Sequence, residues 1–194
     1  MRLRPATLLG LFALGATGGL LGDQGHVASG TTHYLSVAHD VPFVWESPIW
    51  FPALVGALTV TIAKLRARVA PVRAGGPWSD GVGAVAAVVG LYAVTALVRH
   101  DALGPSTVVV YALAALTWRV LGAGWPAALC GVIAAVAGVV AEIVLVAAGV
   151  FEYAGAIDAL AGVPPWLPGL YFAFGAVVAR LAELAAADRR RSAP

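Results

Sequence analysis

Apolar runs of about twenty residues alternate with short polar breaks along this chain, the rhythm of a protein that crosses a lipid bilayer several times. The first run, Pro5 to Gly22, follows the basic Met1-Arg2-Leu3-Arg4 and is rich in glycine, which fits a first transmembrane helix or a signal peptide; we take it as a helix. Ser47-Pro48-Ile49-Trp50-Phe51-Pro52 opens a second run, and Gly75-Gly76-Pro77 with Asp80 as a cap opens a third. Gly104-Pro105-Ser106 and Trp125-Pro126 open the fourth and fifth. The sixth enters through Pro164-Pro165-Trp166-Leu167-Pro168, since prolines at a helix's first turn forfeit no intrahelical bond. Spans are therefore expected at about 5–22, 48–66, 81–98, 104–121, 125–149 and 165–184, in one transmembrane domain. The fold class is all-α: a polytopic membrane protein with six transmembrane helices around a lipid-accessible central cavity.

Charge supplies an independent check on the count. With six spans and both termini cytoplasmic, Arg2, Arg4, Lys64, Arg66, Arg68, Arg73, Arg119, Arg180 and Arg189 to Arg191 all fall inside, and only Arg99 falls outside. That is the asymmetry the positive-inside rule requires, and an odd number of spans destroys it. Composition agrees: 60% of residues are hydrophobic and 11% charged, where a soluble domain carries about 25% charged residues. The basic residues sit at span ends rather than in a patch, so nucleic acid is not an expected partner. A single cysteine, Cys130, excludes a disulfide scaffold.

Few residues carry chemistry. Glu142 lies about seven residues before Gly149 ends its helix, which places it roughly 10 Å deep. A carboxylate there must be protonated, paired or hydrated and must face inward. Gly131, Ala134, Ala135, Gly138 and Glu142 recur at intervals of three and four, so the acid sits on a small-residue stripe that faces other helices or a cavity. Glu142 then either donates a hydrogen bond to a ligand's ester, carbonyl or hydroxyl, or bonds across to a threonine such as Thr59, Thr61, Thr95 or Thr117. A proton pump needs a relay of such groups, and no second acid is expected at that depth. His26, His33 and His39, with Asp40 and Glu46, fall in the polar segment Asp23 to Ser47, but their spacings match no compact zinc pattern. That segment reads as a solvated loop, with no metal and no cofactor. An intramembrane hydrolase needs a nucleophile and base at depth, and Ser29, Ser36 and Ser47 with His33 or His39 sit outside the spans, so no enzyme is expected.

Three stretches resemble the insulin-induced gene (Insig) family: Ser47-x-x-Trp50-x-Pro52-x-x-x-Gly56, then Gly149-Val150-x-x-Tyr153, then Trp166-Leu167-Pro168-x-x-x-Phe172-x-x-Gly175. The likeness runs over roughly the last 150 residues. It implies six helices with cytosolic termini around a pocket open to lipid. Animal members reside in the endoplasmic reticulum, bind oxysterols and retain the escort protein Scap. The family's Asp-Arg-Ser-Arg-Ser segment, whose Asp matters for Scap binding, is replaced here by Gly122-Ala123-Gly124-Trp125-Pro126, and the family's deep sterol-contacting Gln falls on Ile143. The Ala-, Val- and Arg-rich composition suggests a bacterial relative in a plasma membrane. The reading is a non-enzymatic binder of an amphipathic lipid, sterol- or diacylglycerol-like. Its expected ligand-binding residues are Glu142, Trp50, Pro52, Phe151, Tyr153, Trp166, Phe172 and Gly138, in a cavity lined by the fifth and sixth spans and the Trp50 turn. The alternatives are an adaptor working by helix contacts, with a second copy or another membrane protein as partner, and a small transporter.

Overall fold

The computed structural model describes residues 3–71, 76–98, 103–121, 124–155 and 157–191, with side chains to 187. Arg2, Arg73, Gly75, Arg99, Gly122 and Ala123, and the side chains of Arg189 to Arg191, which entered the sequence reading, lie outside the described residues. Six helices follow one another: α1 Pro5–Ser29, α2 Trp50–Val69, α3 Trp78–Leu97, α4 Leu103–Val120, α5 Gly124–Ala147 and α6 Leu167–Arg191. Each has a stretch long and apolar enough to span a membrane. This is the expected all-α class, an integral membrane protein.

The helix ends follow local rules. Pro5 starts α1 at a position that needs no donor, and Gly30, at φ 70°, closes it in the left-handed conformation that glycine adopts without a Cβ clash. At α3, Pro77 is the residue before the helix and Asp80 falls in the first turn, so Asp80 is a first-turn acid and not the cap. The sixth span begins at Leu167, two residues later than expected, because Trp166 is still in the turn that precedes it.

The largest difference from the sequence reading is at the end of α1. The helix continues through Asp23 and His26 to Ser29, so these two residues are buried in the bundle and not in a solvated loop. A polar Asp-Gln-Gly after a glycine-rich run has the look of an exit from lipid. It is instead a helical turn whose polar side chains find partners inside the protein. The chain then forms β1 Thr32–Tyr34, a short 3₁₀ turn over Ser36–Asp40, and a small hairpin of β2 Phe43–Val44 and β3 Ser47–Pro48. After α5, the expected loop contains β4 Phe151–Tyr153, which pairs antiparallel with β1 in the register Thr32 to Tyr153 and Tyr34 to Phe151. This two-stranded sheet caps one end of the bundle, and the start of α1 and the end of α6 lie at the other.

At the centre stands α6. Of its most apolar stretch 83% is buried, against 17–39% for the other five helices. It packs on α2, α3, α4 and α5, and α1 lies outside against α2 and α3. Small residues allow the approach. A Cβ on Gly175 would stand 2.6 Å from the Cys130 carbonyl oxygen and 2.8 Å from the Gly131 Cα, and one on Gly138 would stand 2.5 Å from Tyr171 Cδ1. The Gly/Ala stripe of α5 is therefore spent on α6. We expect Gly138→Leu to destabilise the protein by about 1–3 kcal/mol or to prevent folding, as overpacking does. Gly18→Ala, where a Cβ meets nothing within 4 Å, should leave the thermal unfolding midpoint in mild detergent unchanged or higher.

Candidate functional site

Two buried polar clusters fasten α6, one at each end, and a crevice opens between α3 and α4. The cluster at the capped end is built around Glu142. Its side chain leaves α5 on the stripe side and is met by two phenols: the Tyr171 hydroxyl of α6 donates to Oε1 at 2.5 Å, and the Tyr153 hydroxyl of β4 donates to Oε2. The threonines expected as partners are committed elsewhere: Thr59, Thr61 and Thr117 donate to the carbonyls of Val55, Ala57 and Leu113 on their own helices. Thr95 likewise donates to Tyr92 O at 2.8 Å. Its hydroxyl proton is thus used, so His26 Nε2, 2.9 Å from Thr95 Oγ1, carries a proton and donates it.

Beside Glu142 lies a second acid. Asp23 of α1 accepts on Oδ2 from Tyr34 at 2.9 Å and from the Ser47 hydroxyl. Asp23, His26, Thr32, Tyr34, Tyr92, Glu142 and Tyr153 line one small cavity, which corrects the expectation of a lone acid at depth. Burial first, and then the Asp23 carboxyl, hold the Tyr34 phenol well above its ordinary value. Burial and the Glu142 carboxyl do the same for Tyr153. Both phenols therefore remain protonated donors.

At the other end, Arg66 of α2 is 1% exposed and pairs with Glu183 of α6, also 1% exposed. Its Nε and Nη2 donate to Glu183 Oε1 at 2.9 and 2.5 Å, and Nη1 donates to Ala70 O at 3.0 Å. Arg180, one turn earlier on α6, reaches Asp80 of α3 at 2.8 Å and Glu183 at 3.3 Å. Four alternating charges so tie α2, α6 and α3. A buried ion is tolerable in low dielectric only when it is paired and hydrogen-bonded.

Among the described residues, two openings of similar size remain: one of about 620 Å³ at the strand cap, lined by His33, Val146, Phe151, Glu152, Tyr153 and Asp158, and one away from the residues expected to bind ligand. Between α3 and α4 is a crevice of about 610 Å³ with α6 behind it. The α3 wall is small (Gly83, Ala86, Ala87, Gly90), the α4 wall is bulky (Leu113, Leu116, Val120), and Thr117, Asp80 and Arg180 are its polar groups. Missing side-chain volume on α3 makes the space. None of the eight residues expected to bind ligand lines it. Glu142, Tyr153, Phe151 and Trp166 are buried around the capped end, where Phe151 and Tyr153 meet edge to face. Trp166, expected to bind ligand, is 0% exposed. Gly138 and Phe172 belong to the α5–α6 contact. Trp50 and Pro52 sit on the first turn of α2, the Trp50 ring against Phe51. Along Gly131, Gly138 and Gly175 the fifth and sixth spans are in direct contact.

A bundle of six apolar helices, one of them buried at the centre and with a crevice opening sideways between two others, defines an integral membrane protein. No protein-family model matches the chain. It is 52% identical, over all 194 of its residues and 94% of the relative's length, to an INSIG protein homologue of Mycolicibacterium vanbaalenii. Two crystal structures of a mycobacterial Insig homologue, MvINS from Mycobacterium vanbaalenii, superpose with a TM-score of 0.93 at 51% identity, covering 97% of this chain and 98% of that one. One of the two is a cross-linked trimer carrying an arginine-to-cysteine substitution. The chain belongs to the Insig family.

Tyr171→Phe leaves a buried carboxyl with one phenol instead of two, and we expect it to lower stability by about 1–3 kcal/mol. Thermal unfolding in detergent checks this.

Proposed function

We propose that this protein is a non-enzymatic, lipid-binding member of its family that holds one amphipathic lipid in the α3–α4 crevice. The observation that carries the reading is the crevice itself: its 610 Å³ falls within the roughly 300–1,000 Å³ of ligand pockets, which pair apolar walls with a few polar groups. Asp80, Thr117 and Arg180 supply those groups. Asp80 and Arg180 already neutralise one another, so the pair suits a neutral head with a hydroxyl, which accepts from the guanidinium and donates to the carboxylate. A sterol- or diacylglycerol-like molecule has that chemistry. An anionic head meets the Asp80 charge.

Affinity comes mainly from apolar burial, at about 25 cal/mol per Å², and the polar groups fix orientation. Glu142 is a structural acid in this reading, with the capped end as a rigid base. We place the protein in a bacterial plasma membrane with the termini cytoplasmic, because Lys64, Arg66, Arg68 and Arg119 cluster at the terminal end. Self-association is part of the proposal, supported by the cross-linked trimer of MvINS. The exposed face of α5, with Val132, Val136, Val140 and Val144, is free for lipid or for another copy.

Native mass spectrometry of the protein in mild detergent tests the reading. One lipid species should survive at about one per chain. Ala87→Trp, which fills the crevice, should reduce retention about tenfold, equivalent to 1.4 kcal/mol of lost contact, while Glu142→Gln retains the lipid. A mixture mirroring the host membrane, or no lipid at all, would favour an adaptor acting through helix contacts.

A further inference from the structure

The hairpin that precedes α2 carries a tryptophan at an unusual backbone position. Val44 pairs with Ser47 across β2 and β3, so Trp45 and Glu46 form a two-residue loop. Such loops place their first central residue at positive φ, a position dominated by glycine, asparagine and aspartate. Trp45 occupies it at φ 55°, an outlying conformation for so bulky a side chain. The strain does not serve burial within the protein, because Trp45 is 65% exposed. A large ring held outward at a conformational cost points to something outside the chain that receives it.

The level of this ring along the bundle is fixed by two hydrogen bonds. The Glu46 amide donates to Gln24 Oε1 at 3.2 Å, and the Ser47 hydroxyl donates to Asp23. Gln24 lies five residues before Ser29 ends α1, about 7.5 Å along the helix axis. The hairpin is thus folded down along the side of α1 and does not stand up from the cap. Less than a turn further into α1, Leu21 is exposed, as are Val44 beside the ring and Leu54 near the start of α2. Ile49, also exposed, is tied to the foot of the hairpin through its amide, which donates to Pro42 O at 2.9 Å. The tip therefore stands where the apolar run of α1 gives way to Asp23 and Gln24, the level at which hydrocarbon gives way to headgroups.

We propose that the β2–β3 hairpin inserts the Trp45 ring into the lipid interface of the leaflet on the capped side, with Val44 and Ile49 beside it. The partner is a lipid surface and not a second protein, because the ring adjoins the outward apolar side chains of two membrane-spanning helices, α1 and α2. An amphipathic ring at that level finds apolar contact on one side and hydrogen-bond acceptors on the other. The contact is independent of the α3–α4 crevice. It anchors the segment between α1 and α2 and sets the depth of the capped end.

The test uses the full-length protein in nanodiscs of phosphatidylcholine and phosphatidylglycerol. Tryptophan fluorescence of wild type is compared with that of Trp45→Phe, and the difference is the Trp45 signal. A nitroxide on the lipid chain near the glycerol should reduce that signal about twofold, a nitroxide at the chain end should reduce it less, and aqueous iodide should leave most of it. In wild type, a phospholipid carrying a diazirine near the glycerol should give adducts on residues 43–49. That measurement stands even if the variant fails to fold. Quenching by iodide and not by the nitroxides would place the ring in water, and resistance to both would place it against protein. Either result, or an absence of adducts on residues 43–49, would overturn the proposal.

Discussion

The burial of α6 is the constraint on which the rest of the structure depends. Between helices in lipid there is no hydrophobic driving force, because the tails outside are as apolar as the side chains inside. A central helix must therefore be held by close packing and by polar ties. Glycines 131, 138 and 175 supply the packing against α5. The ties are at the ends: Tyr171 to Glu142 near the strand cap, and Glu183 with Arg180 to Arg66 and Asp80 near the termini. The second places charged groups in low dielectric, where they persist only because their partners are also there.

α3 and α4 pack on α6 much as α2 does, but sparingly on one another. Both touch α6, yet the glycines and alanines on one wall leave the space between them unfilled. Rigidity on one side and an opening on the other follow from the same allocation of small residues. On α5 they bring a helix close to its neighbour; on α3 they leave a gap. The ion pair of Asp80 and Arg180 belongs to both structures, as a tie for α6 and as the polar end of the crevice.

Much of this architecture was legible in the sequence. Hydropathy, prolines at helix starts and the distribution of arginines identify six spans, and the inward direction of Glu142 follows from Gly131, Ala134 and Gly138 at helical spacing. Neighbours were not legible, because hydropathy says which residues are in lipid and nothing about which helices touch. β1 and β4 are three residues each and more than a hundred residues apart in sequence, too short for an alternating pattern to register. Asp23 and His26 read as loop because polarity suggests water, whereas here it signals buried partners supplied by Tyr34, Ser47 and Thr95. Trp166 departs from the ordinary habit of tryptophans beside a span, which sit at the lipid interface, and is buried. The crevice had no signature at all: Gly83, Ala87 and Gly90 have the spacing of a helix contact, and only the structure reveals that no helix fills the space beside them.

The central claim is that lipid enters between α3 and α4 and not at the polar end around Glu142. Photo-crosslinking with a diacylglycerol or sterol carrying a diazirine on its apolar part, followed by peptide mapping, tests it most directly. The account predicts adducts on the crevice walls, at Leu91, Val94, Leu113 and Leu116, that an excess of unlabelled lipid suppresses. Competed adducts confined to α5 and the Phe151–Tyr153 strand, with none on α3 or α4, would contradict it.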